Sequence, residues 1–333
     1  MPLAIRPFEL TDADYEAVVA VYNALWPEDP ASVESLKYRE KVRNKDRYFI
    51  RLLGELGGRV VAMAVGGEAW WSSVPDKYFL NVSVVPEHQR RGFGTQLHDH
   101  LLGAMSERRA ALIETETRED KPEYVSFLTK RGYKQVMRQQ FSKLDVAAFD
   151  DSAFAEFEDR PKQLGLEVGT LDEFRKTDPE WQRAMWELDS ELMKDVPFPE
   201  PIKPEPFDEY VKHYGHPGFL PEAWFLAKDG DRYVGMSCLW KSLADPDSIY
   251  TGLTGVRREY RRKGIATSLK VRAIRFARDF GARYVKADNE ENNPMYQLNV
   301  RLGFRPTPAW LMFHKGLRDA AEESPPEKTE TTP

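Results

Sequence analysis

Cysteine is almost absent from this chain: Cys238 is the only one among 333 residues. A single thiol cannot form an internal disulfide, which is neutral to mildly supportive of a reducing compartment. Cys238 lies in the apolar run 236–240, where a buried strand residue is a better interpretation than a nucleophile. No stretch approaches the ~20 apolar residues that a membrane span needs, and the N-terminus lacks the apolar core of a signal peptide. We therefore expect a cytoplasmic protein with no membrane partner.

Charge and histidine content argue against three further classes. The formal net charge is −6, so a nucleic-acid partner has no overall electrostatic support. His98 and His100 are two apart on a predicted helix and diverge, while His213 and His216 have no accompanying carboxylate or thiolate cluster. The Gly-x-Ser-x-Gly elbow of a serine hydrolase is also missing. We expect no metal site, no nucleic-acid partner and no serine hydrolase chemistry.

What the sequence does have is a basic, glycine-containing turn that occurs twice. The turns are Gln89-Arg90-Arg91-Gly92-Phe93-Gly94 and Arg261-Arg262-Lys263-Gly264-Ile265-Ala266. Each follows an apolar, strand-like run and precedes a helix-like run. Such a junction offers backbone N–H groups and a helix N-terminus to a pyrophosphate, and glycine lets the backbone approach it closely. The pattern therefore predicts two phosphate-binding turns.

The duplication extends beyond these turns. Three pairs of similar positions share nearly one offset: Gly92 with Gly264 (172 residues), Gly132 with Gly303 (171) and residues 59–63 with residues 232–236 (173). An interval this long is far above the period of a solenoid repeat. We interpret the chain as two copies of one domain, residues 1–150 and 166–318, joined by a linker at 151–165. A Glu-, Pro- and Thr-rich tail, 319–333, is predicted to be disordered.

Two features leave alternatives open. The proline-rich insert at 196–206 is either a rigid spacer or a cover over a substrate entrance. Trp70, Trp71 and Trp240 lie at equivalent strand ends, where they either line an acceptor pocket or fill the space between sheet and helix. We favour packing for the tryptophans.

A family resemblance rests on these turns and what surrounds them. A strand ending in Val84-Val85-Pro86, the turn 89–94, a helix and a distal Gly-Phe or Gly-Tyr pair resemble the GNAT superfamily of acetyl-CoA-dependent N-acetyltransferases. The resemblance covers residues 3–144 and 166–316, although Arg258 replaces the proline in the second copy. It implies an α/β (α+β) fold of two tandem domains, each a mixed, mostly antiparallel sheet flanked by helices. The tandem arrangement is similar to that of mycothiol synthase-type proteins, in which the C-terminal copy is catalytic.

The resemblance also implies acetyl-CoA as the co-substrate. Val84 and Val256 would lie on splayed strands whose backbone pairs with the pantetheine arm and polarises the thioester carbonyl. An asparagine at 292 or 293 would bond the pantetheine or a nearby backbone, with helix capping as the alternative. The full set predicted to bind the co-substrate is Val84, Val85, Gln89, Arg90, Arg91, Gly92, Phe93, Gly94, Thr95, Val256, Arg261, Arg262, Lys263, Gly264, Ile265, Ala266, Thr267, Asn292 and Asn293.

Acetyl transfer to an amine needs few side chains: a base for the amine and, in many family members, a tyrosine that protonates the leaving thiolate. That tyrosine is four residues before the glycine of the closing pair, where this chain has Leu128 and Asn299. Tyr296 could substitute in the second copy or be a packed core residue, and Tyr124 has a similar position in the first. The candidates for the base are Asp288 and Glu290 in the second copy and Glu114 and Glu116 in the first, each with a solvated carboxylate as the alternative.

The sequence thus predicts transfer of an acetyl group from acetyl-CoA to a primary amine of a small molecule or peptide. Because only the second copy has the asparagines, we favour catalysis there, by Asp288, Glu290 and Tyr296. One rival hypothesis is catalysis in the first copy alone, since its turn has glycine at both positions, Gly92 and Gly94. The other rival hypothesis is a non-catalytic acyl-CoA-binding or sensing protein. The chain is expected to be a monomer, a homodimer or an internal pseudo-dimer of its two copies.

Overall fold

A computed structural model of the protein describes residues 2–317, so the predicted tail at 319–333 lies outside the described residues. The strands are β1 Ala4–Pro7, β2 Phe49–Leu56, β3 Arg59–Glu68, β4 Lys77–Val84, β5 Leu112–Arg118, β6 Lys134–Asp145, β7 Glu167–Thr170, β8 Phe219–Asp229, β9 Arg232–Lys241, β10 Ser248–Val256, β11 Tyr284–Glu290, β12 Arg305–Pro306 and β13 Trp310–Gly316. The helices are α1 Asp12–Leu25, α2 Val33–Val42, α3 Phe93–Glu107, α4 Pro122–Thr129, α5 Arg160–Gln163, α6 Leu171–Phe174, α7 Trp181–Met193, α8 Phe207–Tyr210, α9 Ile265–Asp279 and α10 Pro294–Arg301. Within residues 2–317, no helix is long and apolar enough to cross a membrane.

The predicted mixed, mostly antiparallel sheet is confirmed, and the two copies share it. The strand order is β1-β2-β3-β4-β5-β13-β6-β11-β10-β9-β8-β7, with β12 beside β6. Neighbouring strands are antiparallel except for two parallel pairs, β4 with β5 and β10 with β11. These parallel pairs occupy equivalent positions in the two copies, and each leads into one of the predicted turns.

The copies exchange their last strands. β6 ends the first copy in sequence, yet it pairs along 139–145 with β11 of the second copy. β13 ends the second copy and pairs along its whole length with β5 of the first. The two exchanged strands also pair with each other, which makes the sheet continuous. The backbone hydrogen bonds of each half are therefore completed by the other half.

Helices cover the sheet because their apolar residues recur at helical spacing. In α3, Leu97, Leu101 and Met105 are fully buried in the first core, against β3 and β4. In α9, Leu269 and Ile274 are buried in the same manner in the second half. Each of these helices begins directly after the glycine of a basic turn, so packing of the helix fixes the direction in which the turn points.

The proline-rich insert attaches the second copy to the first. Ile202 forms an isolated bridge with Ser72, and Lys203 N–H donates to the carbonyl of Trp71. Ser72 Oγ donates to Glu200 at 3.0 Å. The insert is thus held against the β3–β4 connection of the first copy.

Candidate active site

One large cavity lies where the two copies meet. Its volume is about 1280 Å³. From the first copy it is lined by the turn after β4, the unpaired ends of β4 and β5, and residues of α1, α2 and α4. From the second copy it is lined by the β9–β10 connection, Trp240 to Ala244, by Tyr250, and by His213 and His216 beyond the insert. The cavity therefore belongs to the first copy but has a wall supplied by the second.

The floor of this cavity is a splay between two parallel strands. β4 and β5 pair only at 77–79 with 112–114, and then separate. Asn81 bridges the opening, with its Oδ1 3.2 Å from Thr115 Oγ1 and 3.4 Å from the amide of Glu116. Beyond it, Val84 and Thr117 line the cavity, and the buried Oγ1 of Thr117 has no hydrogen-bond partner. The splay thus exposes strand backbone to a ligand.

The first basic turn opens into the same cavity. Gly92 has φ of +84°, a conformation that favours glycine, and directly precedes α3. Gln89 fixes the turn, because its Nε2 donates to the carbonyl of Val84 at 2.8 Å and to Tyr124 Oη at 2.7 Å. A Cβ on Gly92 would have no heavy atom nearer than 4.0 Å, so the space above it is open. The first amides of α3 have no carbonyl partner within the helix, so they are available to a ligand at this end of it.

Most of the predicted first-copy residues come together here. Those that line the cavity are Val84, Gln89, Arg90, Gly92, Gly94 and Thr95. Arg91 is exposed and contacts His88 instead. Val85 and Phe93 are buried in the core, and the Val85 amide donates to Val61. Lys130 and Arg131, which the sequence analysis did not single out, add positive charge at this end, and Arg131 donates to Thr95 Oγ1 at 2.6 Å.

These features fit coenzyme A. A diphosphate needs backbone donors, a helix N-terminus and cations, and the first turn supplies all three. An extended pantetheine arm needs unpaired strand backbone, and the splay beside Val84 supplies it. No side chain fills the space above Gly92. The first copy is therefore shaped to accept an acyl-CoA.

The second basic turn is covered by the segment predicted as a linker. Residues 151–157 form a 3₁₀ helix and α5 follows. A Cβ on Gly264 would lie 2.8 Å from Phe157 and 3.2 Å from Arg160. The Glu158 carbonyl accepts from Arg272 at 3.0 Å, which fastens the segment to α9. The space that is open above Gly92 is thus occupied above Gly264.

Neighbouring side chains also pack against the second cleft. Leu192 of α7 packs on Gly255, where a Cβ would lie 3.0 Å away. Arg261 donates to the Val256 carbonyl at 2.9 Å and also pairs with Asp195. Arg258 and Arg261 lower the pKa of Asp195 to about 2, so this ion pair stays charged near neutral pH. The second turn is tied into the protein's own contacts.

None of the other predicted second-copy residues lines the large cavity. Arg262 and Lys263 are exposed, whereas Val256, Ile265 and Thr267 are buried, and Ala266 is half-buried. Asn293 caps α10 through a 2.9 Å bond from the Met295 amide, the alternative stated for it above. Asn292 donates to Glu290 at 2.8 Å. Tyr296 is half-buried on α10, and Asp288 accepts a bond from Gln139 Nε2.

Glu116 is the carboxylate best placed for proton transfer. It lines the cavity on β5 and is solvent-accessible there, yet the surrounding protein limits its hydration. This desolvation, together with the charges of Glu114 and Asp288, raises the pKa of Glu116 to about 7. Asp288 is a second-copy residue, and the strand exchange places its strand β11 beside β6 in the same sheet as Glu116. A carboxylate with this pKa accepts a proton readily near neutral pH.

Two tyrosines in the cavity remain protonated at neutral pH. Burial raises the pKa of Tyr124, whose hydroxyl accepts from Gln89 beside the end of β4. Burial and the charge of Asp29 raise the pKa of Tyr22 to about 12. Gln89 links the Tyr124 hydroxyl to the Val84 carbonyl at the end of β4, so Tyr124 is the phenol available to a leaving group there. The sequence could identify Tyr124 only by analogy with Tyr296, and it gave no signal for Tyr22.

Glu114, the other candidate base of the first copy, belongs to a cluster of ion pairs. Glu114, Glu200 and His314 have ligand atoms within 4.8 Å of one another. The ammonium of Lys77 lies 2.6 Å from Glu114 and also contacts Glu200. Burial alone would raise the pKa of Glu114, but the hydrogen bonds from His314 and Lys77 lower it overall. The ammonium of Lys77 thus provides the positive charge that offsets the two carboxylates of this cluster.

A tandem α/β protein with a phosphate-binding turn beside splayed parallel strands has the architecture of an acyl-CoA-dependent transferase. A sequence model of the acetyltransferase (GNAT) family matches residues 17–133 and again residues 181–304. The chain therefore belongs to the GNAT acetyltransferase family, and the GNAT resemblance of its sequence is confirmed, whereas its similarity to mycothiol synthase-type proteins stays a prediction.

Individual relatives agree with this assignment. N-alpha-acetyltransferase 30 of Schizosaccharomyces pombe is 29% identical over 106 residues, which span 30% of this chain and 68% of that protein. A tandem GNAT protein from the clavulanic acid biosynthesis pathway superposes with a TM-score of 0.73 at 17% identity, covering 95% of this chain and 98% of its own. A GCN5-related N-acetyltransferase from Sphaerobacter thermophilus gives 0.69 at 19% identity, covering 95% and 96%. At these identities the two structures show a shared fold.

Proposed function

We propose that the protein transfers an acetyl group from acetyl-CoA to a primary amine of a small molecule or peptide, and that the first copy carries the reaction. The observation on which this depends is the contrast between the two turns: the space above Gly92 is open, whereas Phe157 and Arg160 occupy the space above Gly264. The second copy, which the sequence favoured, then serves as a wall of the acceptor site within an internal pseudo-dimer.

Each residue of the first cleft has a defined task in this proposal. The amides from Gly92 to Thr95, with Arg90, hold the diphosphate. The backbone beside Val84 orients the pantetheine arm, and a strand N–H polarises the thioester carbonyl. Acetyl-CoA supplies the activated acetyl group. Glu116 takes a proton from the acceptor ammonium, directly or through water, and Tyr124 holds a proton for the departing sulfur.

The proposal is tested by a matched pair of charge reversals. Arg90 and Arg262 are equivalent turn residues with the same φ of +60°, and both are exposed. We expect Arg90→Glu to weaken acetyl-CoA binding about tenfold or more, because a repelling charge enters the diphosphate site. Arg262→Glu should leave the affinity within about twofold. Isothermal titration calorimetry with acetyl-CoA measures both.

A second variant blocks the first site without straining the backbone. Gly94 lies inside α3, and a Cβ there would have its nearest neighbour at 3.8 Å. Gly94→Glu should therefore fold normally by circular dichroism but lose both acetyl-CoA binding and amine-dependent thiol release. If Gly94→Glu retained turnover, or if Arg262→Glu alone abolished binding, catalysis would have to be assigned to the second copy. Tight acetyl-CoA binding without thiol release across a broad amine panel would instead indicate a sensing protein.

A further inference from the structure

Both copies contribute polar and charged residues to the cavity lining apart from the basic turn. The first copy contributes Ser32, Ser35 and Arg39 from α2 and its N-cap, and the second contributes Trp240 and Lys241 from the end of β9. No acceptor is assigned by the family match, because that match covers the fold shared with many transferases. These side chains of the two copies are what an acceptor molecule would contact.

Arg39 is a cation without an anionic partner. Its Nε and Nη2 donate to Ser35 Oγ at 3.3 and 3.2 Å, and within residues 2–317 it has no carboxylate in ion-pair contact. Of the other arginines that line the cavity, Arg51 is paired and lies 3.4 Å from Glu40. Arg90 and Arg131 also lack a carboxylate partner among the described residues, but Arg90 belongs to the basic turn and Arg131 donates to Thr95 beside it. Lys241, which is exposed and lines the same cavity, also lacks a carboxylate partner among the described residues.

The position of Arg39 is fixed by a chain of hydrogen bonds from the second copy. Gly218 N–H donates to His216 Nδ1 at 3.0 Å, so the proton of the neutral ring is on Nε2. Nε2 then donates to Ser35 Oγ at 2.9 Å, and the same oxygen accepts from Arg39. Burial and the nearby Arg39 charge lower the pKa of His216, which keeps the ring neutral. Ser35 is itself buried, so one face of the guanidinium is anchored and the remainder is accessible in the cavity.

Arg39 and Glu116, the proposed base, both line the cavity. The charges of both affect the phenol of Tyr22, because Glu116 raises the pKa of Tyr22 and Arg39 lowers it. The other carboxylate of this region, Asp29, is already engaged by Tyr250 Oη and lies 3.7 Å from Lys286. Beyond the groups at the basic turn and at α4 and its end, the cavity therefore presents the carboxylate of Glu116 for an ammonium group and the unpaired guanidinium of Arg39 for an anion.

We propose that the acceptor is a small molecule that carries a carboxylate as well as its primary amine, and that Arg39, with Lys241 of the second copy, binds the carboxylate. This inference rests on the proposed function, since it names the substrate class of the same site. A guanidinium matches a carboxylate with two parallel N–H bonds, which positions the opposite end of the molecule. Amino acids with the two groups separated by a variable spacer are the compounds to test.

The experiment compares matched acceptors on the full chain. Amino acids with one to five carbons between amine and carboxylate are assayed for thiol release beside their carboxamides. We expect the best acid to exceed its amide at least tenfold in kcat/KM. Arg39→Gln should lower kcat/KM for the acid about ten- to a hundredfold, through KM, and change the amide less than threefold. Lys41→Gln is the control, because Lys41 is exposed on the same helix and does not line the cavity.

The outcomes separate this inference from the proposed function. Turnover with equal preference for acids and amides, or an equal loss for both in Arg39→Gln, would overturn the inference and leave the transferase in place. If no amine is turned over, calorimetric titration of the same acids and amides into the CoA-bound protein decides. Binding of the acid that is lost in Arg39→Gln supports the carboxylate site although the transfer reaction has failed. Binding of the acid that is unchanged in Arg39→Gln, or no binding of any acid, overturns the inference.

Discussion

At the scale of single residues, the surrounding protein sets the pKa of each carboxylate on β5. Glu116 and Glu114 are two positions apart on β5 and have opposite pKa shifts. Lys77 and His314 compensate the burial of Glu114, whereas Glu116 has a restricted water shell and two like charges nearby. The same residue type thus has a structural role at one position and suits proton transfer at the other.

The pH dependence of the reaction tests the role of Glu116. Only the ionised carboxylate accepts a proton, so we expect kcat/KM to fall as the pH drops below about 7, the value given by the shifted pKa. Glu116→Gln should remove this limb and lower kcat/KM by about 10²- to 10⁴-fold. Steady-state rates between pH 5 and 9 measure both effects. Full activity of the Glu116→Gln variant would contradict the role of Glu116 as the base.

A neighbouring substitution should move the same limb without removing it. The negative charge of Asp288 contributes to the raised pKa of Glu116. Asp288→Asn keeps the side-chain shape but removes that charge, so the acidic limb should shift to lower pH. An unchanged profile would mean that the strand exchange does not couple the two copies electrostatically.

At the scale of elements, the insert is held by an ion cluster buried at the junction of the copies. The side chain of Lys77 has no solvent exposure and contacts Glu114 of β5 and Glu200 of the insert. Glu200 also accepts from Ser72, so three separate segments meet at one ammonium. Such a cluster is costly to break because the remaining charges stay buried.

Replacing Lys77 should therefore weaken the whole fold. We expect Lys77→Met to lower the free energy of unfolding by about 3–5 kcal/mol, since two carboxylates lose their counter-charge. Lys41→Met, at an exposed position of α2, should change it by less than about 0.5 kcal/mol. Urea denaturation followed by fluorescence measures both. Equal effects of the two substitutions would argue against the cluster as a stabilising contact.

The elements also show what the sequence could reveal. The turns were predictable because a strand–helix junction that approaches phosphate needs glycine, and Gly92 and Gly264 both have positive φ. The contact of Phe157 over Gly264 could not be predicted, because it depends on packing between residues about a hundred positions apart in the sequence. Asp288 and Glu116 were each candidate bases, but the effect of the Asp288 charge on Glu116 depends on the order of strands in the shared sheet. Arg39 gave no signal, because an unpaired arginine is recognisable only once its neighbours are known.

At the scale of the whole molecule, the exchanged strands make two copies into one cooperative unit. β13 is hydrogen-bonded to β5 on one side and to β6 on the other, so neither half has a complete sheet alone. We expect a single unfolding transition for the full chain. Differential scanning calorimetry tests this, with agreement between calorimetric and van't Hoff enthalpies as the criterion. Two resolved transitions would show that the halves unfold independently.

The exchange has a consequence for how the protein is made. A ribosome releases the chain from its N-terminus, so β5 emerges nearly two hundred residues before β13, its native neighbour. Throughout that interval the first copy has an open sheet edge, which its own β6 or a foreign strand is able to occupy. The first copy is thus the first to be synthesised and among the last to be completed.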